Sequence, residues 1–201
     1  KTGADMKKHT IIFFILLNLN FYNHLIAEEI PTIIISAGKT PQSLSTVGSS
    51  VEIVTSDDIQ NSTHSGIANI IDDFTTGTNL FQAGGVGANI GIQLRGLEKR
   101  YSTVYIDGVK MLDPSSSDGS FYLENVMKNG IERVEILKGT QSSLYGSNAI
   151  GGTINIFTKK GREGKHSNLQ LDTGSQNTNN ITYSVDGDDG KFNYFLSGNK
   201  I

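Results

Sequence analysis

Residues 131–160 read IERVEILKGTQSSLYGSNAIGGTINIFTKK, and this stretch is the strongest indication of the fold. Two runs within it, residues 133–137 and 152–158, favour Ile, Val and Phe, which suit a pleated, buried surface. The residues between the runs are rich in Gly, Ser and Asn, and glycine allows a positive φ or a close approach of two backbones. The stretch predicts two strands with a glycine-rich connection, and an ordinary antiparallel pair would also account for it.

The sequence of this stretch resembles the end of the plug domain of TonB-dependent outer-membrane receptors. The matching family segment has RVE, two hydrophobic residues, KG or RG, then YG and AIGG, and finally NI, at the spacing found here. Within the family, the chain looks most like the vitamin B12 (cobalamin) receptor branch. The segments that carry this likeness are STVYIDGV at residues 102–109, IERVEILKG and LYGSNAIGGTINI. The chain departs from the family pattern at residues 94–96, which read LRG, and at residues 138–140, which read KGT rather than RGP.

This resemblance implies an α+β plug domain, residues 50–160, followed by the first strands of a truncated antiparallel transmembrane β-barrel. Residues 165–201 alternate apolar and polar side chains with a period of two, as transmembrane β-strands do. A soluble antiparallel sheet with one wet face would give the same alternation. Since a plugged transporter barrel needs about 22 strands, we expect these three strands to be a fragment of a larger barrel.

The composition limits the chemistry that the chain can perform. The 201 residues include no Cys and carry a formal net charge of −3. Disulfides, thiolate catalysis and Cys-ligated metals are therefore excluded, and the weak charge gives no electrostatic case for nucleic-acid binding. The four His residues are scattered without metal-ligand spacing. We expect no enzyme activity, no catalytic or metal-binding residue and no cofactor here, and the resemblance allows calcium only in the missing barrel loops.

The N-terminal residues have the pattern of a secretory signal peptide. A basic segment begins at Met6, and residues 10–19 form an apolar run too short to span a bilayer. Ala27 is a small residue suited to cleavage before Glu28. We predict a signal peptide over residues 6–27, with residues 1–5 as possible upstream translation; a buried hydrophobic helix is the alternative.

Residues 28–49 carry few structure-forming signals and predict an extended, mobile leader. An apolar run follows Pro31, and its position resembles the Ton box of this family. Such a segment can add as a strand to the sheet edge of a partner through main-chain hydrogen bonds. The resemblance implies that the partner is the C-terminal domain of TonB, whereas the alternative is a first strand of the plug itself. The predicted Ton box comprises Ile33, Ile34, Ile35, Ser36 and Ala37.

Local signals predict further elements of the plug. Residues 51–54 predict a strand, and Thr55 with Asp58 three residues later predicts a helix start. A second helix after Ser65 has one apolar face, formed by Ile67, Ile70, Ile71 and Phe74. Further predicted segments are a glycine-rich loop at 80–91, strands at 92–94 and 103–106, a turn at Asp107-Gly108 and a polar loop at 113–120.

Charged residues beside the strand-like runs are candidates for contacts between plug and barrel. A buried Arg requires a carboxylate partner to offset its desolvation. In several family members the matching arginines pair with glutamates on the inner barrel wall, so the resemblance implies such contacts at Arg95, Arg133 and Glu135. We expect both arginines to lack full local carboxylate partners, and the alternative is pairing with Glu132 or Glu135 inside the plug.

The substrate surface implied by the resemblance comprises the outward loops at 82–91 and 113–120. Their Gly, Ser and Asn residues allow close backbone approach and many small polar contacts. The candidate contact residues are Asn89, Ser115, Ser116 and Asp118, and simple solvated turns are the alternative. A phosphate-binding loop is excluded because the glycines of GGVGANIG do not fit G-x-G-x-x-G.

The function implied by the resemblance is energised uptake of a scarce, large nutrient such as cobalamin across the outer membrane of a Gram-negative bacterium. The leader and Ton box would lie in the periplasm, and the strands would contact outer-membrane lipid. Ferric siderophore and haem receptors share the same motifs and are the first alternative. A passive porin-like or adhesin barrel and a secreted soluble β protein are alternatives of other classes.

Overall fold

The structure is a computed structural model that describes residues 33–85, 87–174 and 179–200. The predicted signal peptide and the five residues before it lie outside these described residues. Within the described ranges, no helix is long and apolar enough to cross a membrane. The helices are α1 (Ser56–Asn61), α2 (Ile67–Phe74) and α3 (Ser142–Tyr145), and 3-10 turns lie at Leu44–Thr46, Lys99–Tyr101 and Lys128–Gly130. The strands are β1 (Ile33–Ile34), β2 (Gln42–Ser43), β3 (Ser50–Val54), β4 (Thr78–Gln82), β5 (Ile90–Leu94), β6 (Ser102–Ile106), β7 (Val109–Lys110), β8 (Ile131–Lys138), β9 (Gly152–Thr158), β10 (Gly164–Thr173), β11 (Asn179–Asp188) and β12 (Asn193–Lys200).

The two strands of the opening stretch form the centre of a five-stranded mixed sheet, ordered β3-β8-β9-β6-β7. Strands β8 and β9 run antiparallel, and Ile136 lies opposite Ile154. On its other side β9 runs parallel to β6, where Ile154 lies opposite Val104. Both predicted strands are confirmed, and β8 begins two residues earlier than predicted.

The two faces of this sheet bury different chemistry. One face packs against α1 and α2 through aliphatic residues, and Val134, Ile136 and Ile156 are fully buried there. Alternate positions on the same strands point the other way. That second face buries polar side chains, namely Thr103, Glu135, Thr153 and Asn155.

The predicted helices form where their end signals place them. Thr55 caps α1 with a complete capping box, in which its side chain accepts from the Asp58 backbone N–H and the Asp58 carboxylate accepts from the Thr55 N–H. In α2, Ile67, Ile70 and Ile71 are fully buried, as the periodicity predicts. The prediction was wrong for Phe74, which is 46% exposed, because it is the last residue of the helix and projects beyond the core.

The predicted glycine-rich loop is shorter than expected. Residues 78–82 form β4, which pairs antiparallel with β5, so that only residues 83–89 connect the two strands. Leu80 lies opposite Ile92 of β5, and the sequence around Leu80 does not by itself predict this strand pairing. The Asp107-Gly108 turn has φ values of 48° and 81°, as a tight hairpin requires. The polar loop at 113–120 is confirmed.

The predicted leader, residues 28–49, is not simply extended over its described residues 33–49. Strand β1 pairs antiparallel with β2, and Ile34 is fully buried opposite Gln42. Ala37 and Val51 pack on a small cluster with Leu137 on the second face of the sheet. The leader therefore folds back onto the plug, because long-range contacts supply the order that its local sequence lacks.

The last three strands form an antiparallel meander, ordered β10-β11-β12. One face is apolar and exposed, and it includes Leu169, Ile181 and Leu196. The other face is polar, and it buries Thr182 and Asp186 towards the plug. Strand β11 extends to Asp188 and β12 begins at Asn193, so residues 189–192 form the turn between them.

The closest backbone approach in the central sheet predicts a mutational effect. Gly152 has a φ of +147°, and a Cβ there would collide with the carbonyl oxygen of Leu137 and lie 2.8 Å from Leu94 Cδ1. Gly152→Ala should lower the free energy of unfolding by about 3 kcal/mol or more. Thermal unfolding of the purified protein measures this. Gly130→Ala is the control, since a Cβ at Gly130 meets no atom within 4 Å; equal melting temperatures for the two variants would contradict the prediction.

Candidate functional site

The first described residues of the chain are held on the second face of the sheet by a buried carboxylate. Glu135 is fully buried on β8. Its Oε2 accepts hydrogen bonds from the backbone N–H of Ile35 at 3.0 Å and of Ser36 at 2.8 Å. Its Oε1 accepts from Arg133 Nε at 2.9 Å. A buried carboxylate is tolerated only when such donors replace water, so the leader and Arg133 together make its burial possible.

Two tyrosines complete this attachment. The Tyr145 hydroxyl donates to the carbonyl oxygen of Ser36. The Tyr105 hydroxyl donates to the carbonyl oxygen of Tyr145 at 2.9 Å, and the two rings meet edge-on with centroids 4.9 Å apart. Burial raises the pKa of Tyr145 to about 12, so the hydroxyl stays protonated and remains a donor at physiological pH. The ammonium of Lys39 lies 5.0 Å from the centre of the Tyr145 ring.

The two predicted arginines have different surroundings. Arg133 pairs with Glu135 and also lies over the Phe157 ring, with its guanidinium carbon 4.1 Å from the ring centre. The expectation that it lacks a local carboxylate is therefore wrong, and the local alternative describes it. Arg95 is exposed with a φ of 54°, and among the described residues its side chain has no acidic partner.

Three of the four candidate substrate contacts lie in one ordered loop. The Asp118 carboxylate accepts from Ser116 Oγ at 2.7 Å, from Ser120 N at 3.0 Å and from Lys99 Nζ at 2.9 Å. The nearby Ser115 hydroxyl donates to Asp113 at 2.6 Å. These polar groups stabilise the loop itself, so the loop is better defined than a simple solvated turn.

Lys99 links this loop to the β4–β5 hairpin. Its stem lies beside Gly91 on β5, and its ammonium reaches Asp118 and the face of the Tyr122 ring at 4.7 Å. Burial alone would lower the pKa of Lys99, but the hydrogen bonds that its ammonium donates to Asp118 and Tyr122 outweigh burial and raise the pKa. The hydroxyl of Ser116, together with Lys99 and Ser120, holds the pKa of Asp118 well below its usual range.

Asn89, the fourth candidate, lies apart from that network. It is exposed at the tip of the β4–β5 hairpin, where its carbonyl oxygen accepts from Ala83 N at 3.1 Å. The next residue, Ile90, accepts a hydrogen bond from Leu123 N at 2.8 Å. The hairpin tip and the segment that follows the polar loop therefore emerge at the same end of the plug.

Polar contacts fix the meander to the plug and to the link that joins the two. Arg162, in the link between β9 and β10, binds Asp186 on β11 through two side-chain hydrogen bonds of 2.9 Å. Asn129 donates to Thr182 at 3.3 Å. A cleft of about 730 Å³ lies beside these contacts and is lined by basic and polar groups, including Lys159 and His166. Among the described residues, no group of His, Asp and Glu is arranged to hold a metal ion.

A family model described as "TonB-dependent Receptor Plug Domain" matches residues 43–153. The chain belongs to this family. Members of the family are receptors and transporters and not enzymes, which agrees with the expectation from sequence.

Two curated relatives illustrate the breadth of the match. The Vitamin B12 transporter BtuB of Vibrio vulnificus is 26% identical over 166 residues, which cover 81% of this chain and 27% of that protein. The Iron-regulated outer membrane virulence protein of Vibrio cholerae is 27% identical over 172 residues, covering 83% of this chain and 25% of that protein. The chain thus spans about a quarter of the length of these relatives.

Solved structures support the plug fold and the strands that follow it. The ferripyoverdine receptor of Pseudomonas aeruginosa superposes with a TM-score of 0.69 at 20% identity, over 84% of this chain and 22% of that one. The ferric yersiniabactin uptake receptor FyuA of Yersinia pestis gives a TM-score of 0.57 at 22% identity, over 75% and 23%. The architecture is a plug with a mixed sheet followed by the first strands of a barrel.

In this TonB-dependent receptor plug, the structure brings together residues that sequence reasoning placed in separate groups. The predicted Ton box meets Glu135, which was predicted to contact the barrel. Sequence reasoning did not single out Tyr105, Tyr145 or Lys99. The alternation along β6 and β8 places Tyr105 and Glu135 on the same face of the sheet. This alternation is the sequence pattern that could have identified Tyr105 as a neighbour of Glu135.

The Asp118 network predicts how the polar loop depends on pH. Because the folded-state pKa of Asp118 is depressed, its stabilisation is fully present above the ordinary value of 3.8, declines as the pH falls below that value, and is gone once the pH has fallen through the lowered pKa. Relative to intrinsic rates, amide hydrogen exchange of residues 113–120 should therefore stay constant between a pH of about 7 and about 5, and should become progressively faster below a pH of about 4.

Asp118→Asn should speed that exchange on the order of tenfold at neutral pH, because the charged acceptor is lost. Asp72→Asn, an exposed carboxylate on α2, is the matched control and should leave the loop unchanged. The same exchange rates in both variants would show that Asp118 does not order the loop.

Proposed function

We propose that the protein is a TonB-dependent outer-membrane receptor that takes up a scarce, large nutrient. The observation that carries this proposal is the apolar segment at residues 33–37, which begins with strand β1 and is attached to the plug by hydrogen bonds from the backbone N–H groups of Ile35 and Ser36 to Glu135. Hydrogen bonds of this kind can be exchanged for a partner's strand with little demand on side-chain sequence. The family match supports the same function.

The mechanism follows from exchange of these contacts. Ligand would bind between the loop end of the plug and the outer loops of the barrel, and would shift the population towards a released leader. The C-terminal domain of TonB would then pair with Ile33, Ile34, Ile35, Ser36 and Ala37 on the periplasmic side. The pull transmitted by TonB would displace part of the plug and open a path for the ligand. No covalent bond in the ligand or the chain is made or broken in this process.

The meander supports a location in the outer membrane. Leu169, Leu171 and Ile181 project from its exposed face, and the opposite face carries the polar contacts to the plug. An apolar outer face and a polar inner face are the pattern of a lipid-embedded barrel. We propose that residues 165–201 contribute the first three strands, and that residues 6–27 direct export. We likewise propose that residues 50–160 form the plug and that residues 28–49 form the leader before it.

We propose cobalamin as the first candidate ligand. Two cations near the polar loop are paired with acids, Lys99 with Asp118 at 2.9 Å and Arg100 with Glu98 at 2.7 Å, whereas the exposed Lys110 has no acidic partner among the described residues. A surface on which most of the cations are paired in this way suits a ligand of low net charge better than a polyanionic ferric chelate. A relative named as a vitamin B12 transporter supports this candidate. An iron chelate is the second candidate, since other relatives and solved structures are named for iron regulation or ferric siderophores.

A proline in the leader tests the proposed TonB-binding segment. Ile34→Pro removes a backbone donor and breaks strand pairing, so energised uptake and cross-linking to TonB should be lost while ligand binding to the plug loops persists. Transport of the identified ligand into whole cells, with binding to outer membranes, separates the two effects. Ile34→Val keeps the donor and the apolar side chain and should transport normally. Unchanged uptake by the proline variant would rule out the segment.

A ligand panel tests the proposed substrate class. Full-length receptor in outer membranes should bind cyanocobalamin saturably, and ferric siderophores and haem should compete weakly. Asn89→Ala at the hairpin tip should weaken binding several-fold, whereas Asn79→Ala on the same hairpin serves as the exposed control. Saturable binding of a ferric siderophore without binding of cyanocobalamin would replace cobalamin by an iron chelate.

A further inference from the structure

The leader is attached in a conformation that a strand cannot adopt. The N–H groups of two consecutive residues, Ile35 and Ser36, both point at the same oxygen, Glu135 Oε2. In an extended strand, successive N–H groups point to opposite sides. Convergent N–H groups form instead a concave anion-binding nest, and the chain bends at Ile35 and turns at Ser36. The segment must therefore straighten before it can pair with another sheet.

The same contacts occupy the groups that strand pairing needs. Glu135 holds the donors of Ile35 and Ser36, and the Tyr145 hydroxyl holds the acceptor of Ser36. Along one edge of a strand only alternate residues bond to the partner, so a partner strand would require the main-chain groups of either Ile35 or Ser36 for its ladder. Glu135 holds the N–H groups of both residues, so attachment to the plug and pairing with a partner are mutually exclusive at whichever residue the partner uses.

The attachment can open without leaving an unpaired buried charge. Arg133 Nε binds Oε1 of Glu135, whereas the leader binds Oε2. When the leader leaves, the carboxylate keeps its arginine, and water reaches the oxygen that the leader has uncovered. A buried ion that lost its partner would be strongly destabilising, and Arg133 prevents that outcome.

We propose that Glu135, assisted by Tyr145, is a latch that keeps the Ton box bent and closed to TonB until the latch opens. This inference rests on the proposed function of residues 33–37. Glu135 acts as a positioning residue: it sets the conformation of the leader, and it is not itself a contact of the ligand or of TonB.

Amide hydrogen exchange on the full-length receptor in outer-membrane vesicles, without TonB, measures how firmly the latch holds the leader. Glu135→Gln keeps the shape of the side chain but presents an amide to donors on one side, and Tyr145→Phe removes only the hydroxyl. Both variants should speed exchange of residues 33–38 on the order of tenfold or more, while residues 131–138 stay protected. Glu132→Gln is the matched control on the same strand, since its carboxylate is half-exposed and contacts Arg133 only at 3.9 Å.

Binding of the purified C-terminal domain of TonB to the same vesicles, without ligand, measures whether an open latch makes the leader more accessible to TonB. Association should strengthen several-fold in both latch variants and stay unchanged in Glu132→Gln. Unchanged exchange of residues 33–38 in Glu135→Gln and Tyr145→Phe would overturn the latch, and so would faster exchange with measurable but unaltered TonB association. If the TonB domain binds neither wild type nor variants, the proposed function fails and the gating role fails with it, while the exchange data still report whether Glu135 holds the leader.

Discussion

The burial of one carboxylate links the parts of this plug. Glu135 lies at the centre of the mixed sheet with no exposure, and a charged group in that position needs donors from every direction. Its own strand supplies Arg133, and the leader supplies the backbone of Ile35 and Ser36. The leader therefore covers this face of the sheet and supplies part of the hydrogen bonding that Glu135 needs there. The aliphatic face, by contrast, is closed by helices and would pack with or without the leader.

The elements that were predictable from sequence are those determined by short-range rules. Strands β8 and β9 follow from runs of β-branched residues, and α1 follows from the Thr55–Asp58 capping box. The meander follows from its period of two. In each case the residues that fix the element lie within one turn or one strand of it. The family resemblance added the order of these elements and their role.

The parts that sequence reasoning missed depend on partners far along the chain. Residue 36 meets residue 135 and residue 145, about a hundred positions away, so no local pattern could show that the leader is ordered. Lys99 reaches Asp118 across an intervening hairpin, and the strand at Leu80 is defined by its pairing with Ile92. The short apolar run in the leader is visible in the sequence, but the contacts that bury Ile34 are not.

The polar side of the central sheet has a physical consequence for an opened plug. Thr103, Thr153 and Asn155 lie beside Glu135 on the face that the leader covers. A surface of hydroxyl, amide and carboxylate groups hydrates readily, whereas an exposed aliphatic face would collapse or adhere to other proteins. Withdrawal of the leader would thus expose a polar face of the sheet that water and a polar solute can contact. If the leader is released as proposed, the uncovered face would hydrate more readily than the aliphatic face on the other side of the sheet, although Leu137 and Tyr105 also lie on it.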